Sequence, residues 1–406
     1  MIVTDPTSYG TINPPKGAVF LNYDMNRNDF SNFKGNRRIL TFGAAITGSA
    51  LLDAYKNTKD PIYLSRAKVV ADYLKTMTVS AKMYSVPETV VSPERIYSAS
   101  QWKRVDQVNP SESWTYMKDS IVVADMFYKM STIGGDSSYE TTANNLMSTV
   151  AKVQANTEGS ADHLKVKGMI PEYLLLGVDA NNKKIVKMTW TTYPTDLAYF
   201  IADAYLNGKS TTNPTAITTV YNKYFERLNA LYKSKEILNA YGYPYEYMRV
   251  DFDSPTNEIK GINQNQDMGM TPEYQTWGQN MAFTTDQYFY FVNGMIAAKS
   301  PYAQEIHQKS KTLIASDYSF YGQYNANGTP YVNPDGMTYK ETINMALYVM
   351  GAKQMNSYKV KETVNAMKKL RLTTAFRASN QGYAWAEHEP FIENVVSAIV
   401  PMSMSN

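Results

Sequence analysis

Four acids recur in one kind of setting. They are Asp119 in WTYMKDS, Asp196 in TTYPTDLAY, Asp286 in AFTTDQYF and Glu341 in MTYKETI. Each stands where a polar, aromatic-rich stretch gives way to an apolar run. Two carboxyl groups can cleave a glycosidic bond: one protonates the leaving oxygen, the other activates water or attacks the sugar. Asp196 and Asp286, each flanked by Thr and by several aromatics, are the first choices for such a pair. The same position also suits a plain helix cap, because acids satisfy N-terminal amides and oppose the positive end of the helix dipole.

Glu172 in MIPEYLLLG and Glu246 in YGYPYEYMRVDFDSP are the next choices. Tyrosine and apolar neighbours raise a carboxyl pKa, which suits a general acid. Asp251, Asp253, Glu273, Glu387 and Glu389 are further acids in the polar stretches. His388, in WAEHEP, is the histidine best placed to act; His163 and His307 read as ordinary surface residues. The substrate-facing set is completed by Trp102, Trp114, Trp190, Trp277 and Trp385, with Asp119, Tyr193, Tyr245 and Arg249. Flat aromatic faces stack on sugar rings, although each Trp would equally serve as a plug of apolar bulk. The segment 241–255 also reads as a β-hairpin with alternating packing.

These residues need elements to hold them. Residues 36–56 are apolar almost all round, as in a helix buried on every side. Residues 61–77 carry one apolar stripe (Leu64, Ala67, Ala71, Leu74) opposite Arg66, Lys68, Asp72 and Lys75. Asp60 and Pro61 form a cap and first turn. The alternation recurs: 119–130, 195–206, 285–299, 341–353 and 391–402 read as buried helices, and 138–153, 215–232, 301–316 and a stretch around 360–369 as amphipathic ones. Repeats at the scale of a helix pair predict a solenoid or a closed ring. Six buried and at least five surface helices predict an all-α fold, an (α/α)6 toroid over 35–406. The segment 1–34 is expected to be extended and to cover the place of a missing outer helix. Turns within each hairpin are short, and connections between hairpins are long. All long connections, and with them every tryptophan, should share one rim, where the buried helices begin.

The phrase ALLDAYKNTKDPIYLSRAKVVADYL resembles the hairpins of the six-hairpin glycosidase superfamily; the rest of the chain agrees by pattern. That resemblance implies a toroid carrying a carbohydrate site. The adjacent Asp-Asp pair of the superfamily's mannanase branch is absent. So is a Glu on the first buried helix, where the cellulase-like inverting branch would place its acid.

Composition narrows the rest. The 406 residues include no cysteine and carry a net charge of only +3. Disulfides, thiolate metal sites and cysteine nucleophiles are excluded, and nothing draws the chain to nucleic acid. No apolar run is long enough to span a membrane. The start, MIVTDPTSYG, shows no signal peptide, and the lack of cysteine fits a secreted bacterial protein and many cytosolic ones. The 33 tyrosines suit cores that open onto a wet groove. Asp251, Asp253, Asn257 and Glu258, or Asp179, Asn181 and Asn182, lack the spacing of a calcium loop and read as turns. No metal or cofactor is expected. The expectation is a secreted or cell-surface bacterial enzyme hydrolysing a polysaccharide or oligosaccharide. Two alternatives stand beside it. One is a lyase acting on uronic-acid polymers by β-elimination, drawing on Lys103, Arg104, Tyr193, Tyr243, Tyr245, Tyr247, Arg249, Asn280 and His388. The other is a non-catalytic glycan binder.

Overall fold

The computed structural model describes residues 2–5, 14–20, 22–24, 39–84, 90–98, 114–155, 168–170, 173–178, 184–188, 191–192, 195–245, 247–250, 259–262, 281–332, 336, 338–357, 359–373, 381–383 and 391–405. Among them lie eleven α-helices: α1 Thr41–Thr58, α2 Pro61–Thr76, α3 Met117–Thr132, α4 Glu140–Ala155, α5 Asp196–Gly208, α6 Thr215–Lys233, α7 Thr285–Ala297, α8 Ala303–Ser310, α9 Thr342–Gln354, α10 Val360–Lys368 and α11 Asn394–Ser405. The local chemistry accounts for the first hairpin. Lys59 turns left-handed at φ 59° and closes α1, its N–H donating to the Tyr55 carbonyl. Asp60 then caps α2, its carboxylate accepting the Ile62 N–H at 3.0 Å, with Pro61 at the first helical position where a missing N–H costs nothing.

The odd-numbered helices pack in a closed ring: α1 on α3, α3 on α5, α5 on α7, α7 on α9, α9 on α11, and α11 back on α1. Each even-numbered helix packs outside the partner that precedes it. This is the (α/α)6 toroid, with six inner helices and five outer ones among the described residues. Inner helices are buried over most of their surface; every residue of α9 from Thr342 to Ala352 is buried. Close approach is set by small residues. A Cβ on Gly294 of α7 would fall 2.4 Å from the carbonyl carbon of Ala198 on α5.

The long connections differ from plain loops. Residues 78–84 pair with 90–98 and run parallel to 184–188, which pairs in turn with 173–178, and that strand with 114–116. Residues 247–250 lie between 191–192 and 259–262, so the tail of the tyrosine-rich segment is a hairpin strand. Four inner helices are thus entered from a paired strand: 114–116 before α3, 191–192 before α5, 281–284 before α7 and 391–393 before α11. At the N-terminus, Val3, Ala18, Val19 and Phe20 are buried, and residues 22–24 pair with 391–393. Gly17, at φ 90°, lies against Val69 and Tyr73 of α2, with no room for a side chain.

Candidate active site

The inner ring brings Asp196 and Asp286 together. They open α5 and α7, neighbouring inner helices, and they meet through Lys118 in the first turn of α3. The Lys118 Nζ lies 2.5 Å from Asp196 Oδ2, and Asp119, Asp196 and Asp286 all act on its charge. Burial pushes the Asp286 carboxyl up to about 6, and the charge of Asp196 adds to the rise. The Gln287 N–H, Lys118 and the Thr284 hydroxyl pull against it. For Lys118, burial works against the charged form, but Asp196 leads a set of carboxylates that holds the ammonium above its ordinary range.

Asp286 therefore keeps part of a helix-cap role, accepting from the next amide. Asp196 does not: one oxygen is on Lys118, and Oδ1 is buried with no hydrogen-bond partner among the described residues. A buried acceptor without a donor is costly. Glu341 behaves differently again. It precedes α9 and accepts the Asn344 side-chain amide at 3.0 Å, a link within its own helix start.

One turn deeper the floor is aromatic. Phe200 and Tyr290 stand four residues after Asp196 and Asp286, on the same helix faces. Their rings are 4.9 Å apart, and Phe42 of α1 meets Phe200 edge-on at 5.4 Å. The Lys118 ammonium lies 4.8 Å from the centre of the Phe42 ring. Lys118, Phe42, Phe200 and Tyr290 escaped the sequence reading. The signals were present: Lys118 sits inside WTYMKDS, and both acids carry an aromatic residue at i+4.

A second ionic cluster lies deeper. Asp203 is seven residues beyond Asp196 and Asp125 seven beyond Lys118, each about 10 Å further along its helix. The Lys129 ammonium, buried in α3, is 3.4 Å from Asp203, 3.5 Å from Asp53 and 3.6 Å from Asp125. Asn207 donates to Asp125 at 2.8 Å, and the Ser49 hydroxyl lies 3.4 Å away. Burial, opposed by Lys129 and reinforced by Asp203 and Asp53, carries the Asp125 carboxyl up to about 7. Tyr199 joins the layers, stacked on Tyr290 at 5.8 Å and raised in pKa by burial and then by Asp203.

The other expected site residues fare variously. Asp119 is buried beside Lys118. Trp114 and Arg249 lie on rim strands, opposite Leu175 and Thr191 respectively. Tyr245 is half-buried, and its N–H donates to the Ile237 carbonyl at 2.8 Å, a turn contact. Glu172, Glu246, Trp102, Trp190, Tyr193, Trp277, Trp385 and His388 lie outside the described residues. Two readings are corrected. Tyr243, a candidate lyase base, is buried; its hydroxyl meets Thr312 at 2.9 Å and Lys309 covers its ring. His307 is no surface residue: it faces inward from α8, 2% exposed, stacked on Tyr348 at 5.9 Å. No metal-binding group of three or more His, Cys, Asp or Glu occurs among the described residues, and no helix there is long and apolar enough to cross a membrane.

No protein-family model matches the sequence. No curated protein matches it either. Solved structures do match in shape. An α-amylase from Clostridium perfringens superposes with TM-score 0.59 at 10% identity, covering 96% of this chain and 92% of that one. The unsaturated glucuronyl hydrolase of Bacillus sp. GL1 superposes with TM-score 0.60 at 11% identity, over 96% and 90%. A D-mannose isomerase gives 0.58 at 11%, over 97% and 92%. At such identities the likeness is one of architecture, and the fold of this chain is an (α/α)6 toroid.

Proposed function

We propose that the chain is a glycoside hydrolase, acting on a polysaccharide or oligosaccharide at the mouth of its toroid, in a secreted or cell-surface setting. Asp286 serves as the general acid. Asp196 takes the complementary role, toward water or toward the sugar. Phe42, half-buried at the mouth, supplies an aromatic face for the ring, backed by the buried Phe200 and Tyr290. The observation that carries the reading is the pairing itself. A buried carboxyl, Asp196, and a half-buried one, Asp286, open adjacent inner helices around one lysine, and Asp286 is pushed up to about 6. A carboxyl whose surroundings hold its proton, standing beside a second carboxyl, is the mark of an acid and its partner. The glycosidases that share the fold are consistent with this chemistry, while the isomerase shows that the fold also hosts another reaction.

The test is a product screen. The protein is incubated with neutral and uronic-acid polysaccharides, and reducing ends and ultraviolet absorbance are read together. Hydrolysis gives reducing ends without absorbance. Absorbance rising with them marks elimination and sinks the hydrolytic reading. Silence on every glycan, with binding retained, favours a glycan-binding protein.

A further inference from the structure

We propose that Lys118 is a positioning residue that decides which of the two mouth carboxyls is the charged partner and which is the proton donor. The inference rests on the hydrolytic reading and adds a residue to it. Its basis is an asymmetry of contact. Lys118 reaches from α3 to Asp196 on α5 at 2.5 Å, while Asp286 on α7 lies within its field without such a contact. Two carboxyls sharing a buried site titrate as a pair, and neither residue alone owns the proton. An ammonium bonded to one of them breaks that tie. It stabilises the charge on the carboxyl it touches, and the charge so fixed on Asp196 is what helps hold the proton on Asp286.

Lys118 is also held for this task. Its ammonium lies over the Phe42 ring from α1, so three inner helices fix its place while the contact lies on α5. Its side chain is 27% exposed, against 4% for Lys129 in the deeper cluster. Lys129 is enclosed by three carboxylates and fits a purely structural role. Lys118 is part-exposed beside the Asp196 oxygen that has no partner among the described residues.

The experiment combines carboxyl carbon NMR titration of the aspartates with the pH profile of kcat/KM, for the wild type, Lys118→Met and Lys118→Arg. In Lys118→Met the first of the pair's two titration steps is expected to rise by about one unit or more. The acid limb of the rate profile should follow, with kcat down roughly 10- to 100-fold and KM changed far less. Lys118→Arg, which keeps the charge, should restore the wild-type limb. Should the methionine variant fail to fold, Lys118→Gln is read in its place by the same two measurements. Titration steps and limb that stay where the wild type has them, whatever the rate, overturn the proposal and leave Lys118 a structural residue. The titration needs no substrate, so a protein inactive on every glycan loses the hydrolytic reading while the effect of Lys118 on the carboxyl pair is still measured.

Discussion

At the scale of the residue, the carboxyl pair makes two sharp predictions. Asp196→Asn and Asp286→Asn each remove one partner of a general acid–base pair, so each should lower kcat by roughly 10²- to 10⁴-fold with the fold retained. Circular dichroism of the same preparations separates a dead site from an unfolded one. The pH dependence follows from Asp286. An acid must carry its proton to donate it, and this carboxyl is pushed up to about 6 by burial and by Asp196. kcat/KM should therefore fall as pH rises above about 6. Asp196→Asn removes the neighbouring charge that raises Asp286, and carboxyl NMR should show Asp286 titrating at lower pH in that variant. The sequence marks these two residues by the acid, threonine and aromatics that cluster at both helix starts. It could not single out Lys118, since one lysine beside one aspartate looks like any surface pair until α3 and α5 are side by side.

At the scale of the element, the inner helices are stapled by Lys129. It is a buried cation held from α1 by Asp53, from α5 by Asp203 and from its own helix by Asp125. Lys129→Met leaves three carboxylates without their counter-charge and should destabilise the protein by about 3–5 kcal/mol, read by urea unfolding. The opposite change is milder. The Asp125 carboxyl rises from 3.8 to about 7 on folding, so the native state binds the extra proton between those limits. Its contribution to stability is present below about pH 4 and is lost as pH rises through 7. Asp125→Asn should therefore unfold at an equal or higher temperature than the wild type at pH 8, with the advantage shrinking or reversing at pH 5. His307 on α8 has the reverse sign. Burial lowers it from 6.5 to about 4, so its contribution is present above pH 6.5 and is lost as pH falls toward 4. A helix stripe read from sequence did not reveal either group. Asp125 and Lys129 sit in an otherwise apolar run, and His307 sits on the face that α8 turns to Tyr348.

At the scale of the molecule, stability depends on closing the ring. α11 packs against both α9 and α1, and it is entered from a strand paired with residues 22–24. A chain ending before Asn394 would expose the apolar faces of α1 and α9 together, a patch that favours aggregation. Such a truncation should lose the single cooperative thermal transition and elute from a sizing column as oligomers. Retention of a monomeric, cooperatively folding species would show that the ring does not depend on its last inner helix.

The sequence by itself determined the repeat: helices apolar on all sides alternate with helices striped on one face, and that pattern admits few solutions other than a double ring. It also determined the polarity of the ring, because short turns and long connections alternate and must fall at opposite ends. Of the strands in the long connections, that at 247–250 falls in the hairpin read over 241–255, but its partners, 259–262 and 191–192, lie outside that segment, since pairing between distant segments leaves little trace in local periodicity. Only the tertiary structure decided which acids share a site. Asp119, Asp196, Asp286 and Glu341 look alike in sequence, yet packing puts Lys118 on Asp196, leaves Asp286 half-buried within the field of both and turns Glu341 to its own Asn344. Charge interactions act through space between helices some 80 residues apart in the chain, and no local pattern encodes that distance.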